Sequence, residues 1–233
     1  MAKYTYIFLM AFTFLGPFIM SFEKQINFKS QWTNVFKSIL PAGLIFLVWD
    51  YFYTLWGVWS FNSEYISGIK ILNLPIEEIS FFFIVPFACL FMYETVHFLL
   101  KMPLNSKILK IIHEILALAL IFVGLVFWDR LYTSVTFIIS AISIYYLNSS
   151  KHSNILHKFS FAYLFCLVPF LLVNGVLTYL PVVIYNDLEN LGIRIISIPF
   201  EDIFYGYLLL VWSVVYYESL KLQTKNKSLK TNQ

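Results

Sequence analysis

Charged residues make up only 12% of this 233-residue chain, against about 25% in an ordinary soluble domain. That shortage excludes a water-exposed globular surface. The two cysteines, Cys89 and Cys166, each stand alone inside an apolar run. With no Cys-x-x-Cys pair and no second ligand nearby, they imply neither a disulfide framework nor a zinc site. No Gly-x-Gly-x-x-Gly follows a strand pattern, so the usual sign of a bound dinucleotide is missing. The His-rich clusters of membrane hydroxylases and desaturases are also missing. The net charge of +3 is small and has a topological cause given below, so it points to no nucleic-acid partner. The apolar stretch after Lys3 runs into Gly16-Pro17-Phe18-Ile19-Met20, which offers no small-x-small cleavage site. It reads as a retained helix, not a signal peptide.

What the chain has in abundance is apolar and aromatic surface: 60% hydrophobic residues, with 25 Phe, 16 Tyr and 6 Trp. That is too many aromatics for two interfacial belts, so some must line the interior. A bilayer core of about 30 Å needs roughly 20 mostly apolar residues per helix. Seven stretches qualify: about 4 to 20, 38 to 59, 77 to 99, 109 to 128, 131 to 147, 159 to 181 and 201 to 220. The expected fold is an all-α integral membrane protein with seven transmembrane helices. Sorting Lys and Arg by side gives 12 on one face, all Lys, and 4 on the other, namely Lys3, Lys70, Arg130 and Arg194. The positive-inside rule then predicts a multi-pass protein of the cell membrane with its N-terminus outside and its C-terminus cytoplasmic.

Sliding the chain against itself by 124 residues matches Trp49 through Glu94 onto Val173 through Glu218 without a gap. Pro75-Ile76-Glu77-Glu78-Ile79 meets Pro199-Phe200-Glu201-Asp202-Ile203, and Tyr93-Glu94 meets Tyr217-Glu218. Each copy holds three spans, so a connector span is needed to insert both the same way up. The predicted layout is a three-helix repeat over 1–104, a connector helix over 105–128, a second three-helix repeat over 129–222 and a cytoplasmic tail over 223–233. Two parallel copies place both acidic motifs on the same side of the membrane.

Proline before a helix and acids in its first turn are an ordinary helix start. Here the motif recurs beside Phe81-Phe82-Phe83 and Tyr205-Gly206-Tyr207, where two acids kept twice are costly without a use. Asp50, about eight residues from the end of the second span, is the other expensive residue. It has two readings, a proton donor some ~10 to 15 Å below the motifs, or a hydrogen-bonded partner of its repeat mate Asn174. Glu94 and Glu218 lie at the opposite ends of their helices, where acids reach water, and read as structural. Glu94-x-x-His97 has the spacing of a di-iron ligand pair, but its mate is Glu218-x-x-Lys221, so no metal is expected. Asn186-Asp187-x-Glu189 is a faint echo of the Asp-rich magnesium sites of prenyltransferases. Paired carboxylates at the rim of a greasy, aromatic interior suit acid-base chemistry on an apolar molecule. A carboxylic acid can protonate an alkene, a second carboxylate can remove a proton, and aromatic faces can shield the cation between.

At these residues the chain resembles the lycopene cyclase domain family, the non-flavin carotenoid cyclases found as paired bacterial subunits, fused bacterial chains and a fungal fusion domain. The stretches that carry the resemblance are Leu74-Pro75-Ile76-Glu77-Glu78-Ile79-Ser80-Phe81-Phe82 and Ile198-Pro199-Phe200-Glu201-Asp202-Ile203-Phe204-Tyr205-Gly206. The length is similar to the fused form. The resemblance implies cyclisation of the ψ ends of lycopene to β rings, giving β-carotene through γ-carotene with no net redox change. It implies Glu77, Glu78, Glu201 and Asp202 as the acid-base set, with acid and base roles unassigned; Asp50 is added as a candidate catalytic residue on its own cost in the bilayer. Implied partners are lycopene and other carotenoids with ψ end groups, set in membrane lipid, with room for contact with other carotenoid-pathway enzymes. No cofactor is implied. A related branch makes ε rings or cyclises C50 carotenoids.

Two readings of other classes compete. Sugar uniporters of the SWEET type share a three-plus-one-plus-three design, but they use a Pro in the first helix of each repeat. Here Pro17 is met by Ala141. A retinal-binding protein needs a Lys in the middle of its last span, and Glu201 to Leu220 contains none.

Overall fold

The computed structural model describes residues 2–100 and 106–231. The expected boundary at 104/105 and Lys101 of the cation count lie outside the described residues. Seven helices carry the fold: α1 Thr5–Met20, α2 Trp32–Leu55, α3 Ile76–Leu99, α4 Ser106–Val126, α5 Leu131–Ser149, α6 Ser153–Tyr179 and α7 Glu201–Thr231. All seven are long and apolar enough to cross a membrane, as expected of a multi-pass membrane protein. Helix ends differ from the sequence expectation. The second helix stops at Leu55 instead of 59, and the segment expected as a tail continues α7 as helix to Thr231.

The packing obeys the repeat. α2 and α6 each pack against both α3 and α7, α1 lies against α3 as α5 lies against α7, and α4 packs along α5. α4 comes close to α5 because Gly124 has no side chain. A Cβ there would lie 2.9 Å from Ile138 Cγ1.

The connections between the second and third helices of each repeat are folded, which the apolar periodicity does not reveal. They hold short strands: β1 Trp59–Phe61, β2 Lys70–Ile71 and β3 Leu74–Pro75 in one copy, and β4 Val183–Tyr185, β5 Arg194–Ile195 and β6 Ile198–Pro199 in the other. β2 pairs with β3 and β5 with β6, each a tight antiparallel hairpin. β1 pairs with β4 across the copies, Trp59 opposite Tyr185, Ser60 opposite Ile184 and Phe61 opposite Val183. Ser60 and Ile184 are themselves repeat mates, 124 residues apart, so the centre of this ladder is the pseudo-two-fold axis of the molecule. The exchange continues beyond the ladder. Asn62 N–H donates to Val182 O at 3.0 Å, and Asn186 N–H donates to Val58 O at 2.9 Å.

Gly68 and Gly192 hold φ values of +92° and +71°, conformations that favour glycine and turn each chain back towards its acidic helix. The turn delivers Pro75 as the cap of α3, with Glu77 and Glu78 in the first helical turn, where the dipole favours acids.

At the far end of the bundle the two copies are tied again. Tyr93 Oη donates to Glu218 at 3.1 Å, and Lys221 Nζ reaches Glu94 at 2.5 Å. These contacts agree with the structural reading of Glu94 and Glu218.

Candidate active site

All five expected acids are buried. Relative exposure is 1% for Asp50, 1% for Glu77, 8% for Glu78, 0% for Glu201 and 3% for Asp202. The motifs therefore do not sit at an open rim, as expected from the sequence. The folded connections, with the β1–β4 ladder between them, cover the helix starts.

Within each motif the two acids point to different tasks. Glu77 Oε1 accepts the N–H of Ser67 at 2.7 Å, and Glu201 Oε1 accepts the N–H of Leu191 at 2.7 Å. Ser67 and Leu191 are repeat mates, so the first acid of each motif clamps its connection onto the helix start. Thr133 Oγ1 adds a second donor to Glu201 at 2.6 Å. The second acids face inward. Glu78 and Asp202 line one cavity of about 40 Å³, together with Tyr6, Trp59, Phe81, Phe170, Asn174, Tyr185 and Tyr205 among others. That volume suits one or two water molecules. An isoprenoid end group is several times larger than this cavity.

Each inward acid is held by a tyrosine from the first helix of its own repeat. Tyr6 Oη donates to Glu78 Oε2 at 2.5 Å, and Tyr132 Oη donates to Asp202 Oδ1 at 2.5 Å. Beyond this pair the symmetry fails. Asp202 Oδ2 also accepts from Tyr185 Oη at 2.8 Å and from Asn174 Nδ2 at 3.0 Å. The mate of Tyr185 is Phe61 and the mate of Asn174 is Asp50, so Glu78 receives neither bond. Burial, and then the Asp202 carboxyl beside it, hold the Tyr185 phenol well above its usual range, so it remains a donor.

Asp50 lies next to this chamber, bonded to one of its lining residues, Trp59. Because α2 ends at Leu55, Asp50 lies about 7.5 Å from the helix end, closer to the motifs than a helix reaching 59 would place it. The chain then turns back through β1, and Trp59 Nε1 donates to Asp50 Oδ1 at 2.7 Å. Asp50 also lies within electrostatic range of Glu78. The expected alternative of a bond to Asn174 is not formed, since Asn174 turns to Asp202 and Asp50 Oδ2 has no partner.

Aromatic rings complete the walls. Trp59 meets Tyr132, Tyr185 and Tyr205 at centroid distances of 5.2, 5.9 and 5.8 Å, all edge-on. Phe46 and Trp49 pack on Tyr205 from α2. The buried Tyr205 hydroxyl has no partner. Ring faces of this kind stabilise positive charge.

The magnesium-like loop is committed to structure. Asp187 pairs with Arg194, and Glu189 Oε2 accepts the N–H of Leu131 at 3.0 Å. Among the described residues no group of three or more His, Cys, Asp or Glu converges to hold a metal ion.

Sequence reasoning missed Tyr6, Trp59, Tyr132 and Tyr185, and noted Tyr205 only as an aromatic neighbour of the second motif. Trp59 and Tyr185 break the repeat, their mates 124 residues away being Val183 and Phe61, so matching the copies drew no attention to them. Tyr6 and Tyr132 are 126 residues apart, two beyond the offset of the gapless match. A two-residue insertion ahead of Trp49 would have paired them.

No curated protein and no solved structure gives a significant match to the chain. The sequence model of the family described as Lycopene cyclase matches it over residues 3–96 and 129–220. These stretches begin 126 residues apart and end 124 apart, the same two offsets that relate the tyrosines and the acids. The chain belongs to the lycopene cyclase family and is a carotenoid cyclase.

Proposed function

We propose that the chain is a lycopene β-cyclase, an intramolecular lyase or isomerase that uses Glu78 and Asp202 as its acid-base pair. One observation carries this reading: two carboxyls from the two repeats line a single aromatic cavity, each steadied by a tyrosine. One carboxyl delivers a proton to C2 of a ψ end group, leaving a tertiary cation at C1. The C5–C6 double bond attacks C1, closing the ring and moving the charge to C5. Removal of the proton at C6 by the second carboxyl forms the C5–C6 double bond of a β ring. One proton enters and one leaves, so no oxidant or reductant is consumed. Loss from C4 instead would give an ε ring.

In this reading Trp59, Phe81, Phe170 and Tyr205 shield the cation without capturing it. Glu77, Glu201 and Asp50 support the pair from behind the cavity wall. The two parallel repeats form one shared site, with the acidic end outside, the N-terminus outside and the C-terminus in the cytoplasm of a cell-membrane protein. Expression in bacteria that accumulate lycopene, followed by chromatography of the pigments, tests the assignment. β-Carotene with γ-carotene on the way is expected. Unchanged lycopene beside membrane-inserted protein contradicts it, and ε-ringed products contradict the β assignment.

A further inference from the structure

The repeat is symmetric in backbone but not in proton inventory. Asp202 accepts three hydrogen bonds, from Tyr132, Tyr185 and Asn174. A carboxylate has about four lone-pair sites, so three donors leave one open for an incoming proton. Arg194 on β5 also lies within electrostatic range of Asp202. Its repeat mate Lys70 is exposed.

The surroundings of Glu78 are the reverse. Tyr6 donates to its Oε2, and it is the most exposed of the five acids. Asp50 has one oxygen bonded to the cavity-lining Trp59 and the other buried without a donor. An acid with a single bonded donor in an aromatic chamber is better placed to release a proton than a carboxylate already held by three. In the other copy, Asn174 replaces Asp50 and turns a donor towards Asp202.

Building on the β-cyclase reading, we propose that the two copies have divided the reaction. Glu78, backed by Asp50 as a positioning residue, is the acid that protonates C2. Asp202 is the base that takes the proton from C6. Each turnover thus moves one proton from the first repeat to the second, and solvent restores both groups.

The two roles leave different signatures. Without the acid no cation forms. Without the base the cation still forms, and it either loses a proton elsewhere or returns to lycopene. The test compares parent, Glu78→Gln and Asp202→Asn in membranes supplied with lycopene in D2O, with product and recovered lycopene analysed by mass and chromatography.

A parent that makes no rings sinks the β-cyclase reading itself. With an active parent, Asp202→Asn is expected to give ε or exocyclic-alkene rings, or recovered lycopene carrying deuterium. Glu78→Gln is expected to fall by about 100-fold or more and to give neither signature. Asp202→Asn with neither signature, in protein that unfolds at the parent temperature, overturns the division. So does either signature in Glu78→Gln. If Asp202→Asn does not fold, Asp202→Glu replaces it: a changed ratio of β to ε or exocyclic-alkene rings is expected, and a lower rate with an unchanged product ratio overturns the division. Asp50→Asn, which installs its mate's residue, should lower kcat about tenfold at unchanged KM, with Asp50→Glu restoring most of it. Parent-like kcat in Asp50→Asn removes Asp50 from the proposal.

Discussion

The Tyr6 hydroxyl donates to Glu78 at 2.5 Å across 72 residues of chain, tying the first helix to the cavity. Tyr132 repeats the contact with Asp202, where two further donors share the load. Tyr6→Phe therefore strips Glu78 of its bonded partner, while Tyr132→Phe leaves Asp202 with two. A hydrogen bond to the carboxylate left when Glu78 gives up its proton is worth about 1.5–3 kcal/mol. Initial rates of lycopene loss in membranes should fall by about tenfold or more in Tyr6→Phe and by clearly less in Tyr132→Phe. Equal rates in the two variants would contradict the donor count.

Glu77 and Glu201 are expected to matter to stability before chemistry. Each accepts a backbone N–H of its connection, and each is buried. Glu77→Ala leaves that N–H unsatisfied, a cost of about 1–3 kcal/mol, read as a lower unfolding temperature in detergent. Glu77→Gln keeps a carbonyl acceptor and should retain most of the rate. A Glu77→Gln protein of parent stability with no turnover would instead place Glu77 in the chemistry.

The close approach of α4 to α5 depends on Gly124. A Cβ there meets Ile138 Cγ1 at 2.9 Å and Ser134 O at 3.2 Å. Gly124→Val should cost about 1–3 kcal/mol by overpacking, seen in thermal unfolding. Neither Glu78 nor Asp202 lies on those helices, so the product should be the same as the parent's. A change of product would show that the connector helix shapes the cavity.

The repeat was legible because Trp49–Glu94 and Val173–Glu218 match without a gap, and the seven spans followed from apolar length. The folded connections were not, since strands of two or three residues such as β2 and β5 leave no periodicity to read. The acids could be named from their motifs, but which of them line the cavity could not. Which carboxyl faces the cavity depends on helix rotation and on donors from distant segments, such as Leu191 N–H for Glu201 and Tyr185 for Asp202. Asp50 was marked by its cost in a membrane. Its partner Trp59 becomes visible only when α2 stops at Leu55 and the chain turns back.

The central claim is cyclisation by one carboxyl proton delivered and one removed within the cavity shared by Glu78 and Asp202. Its most direct test is to supply lycopene to the parent chain in D2O and locate deuterium in the β-carotene formed. The account predicts one deuterium at C2 of each ring and the loss of one hydrogen from each C6. Rings formed without solvent deuterium at C2 would contradict it.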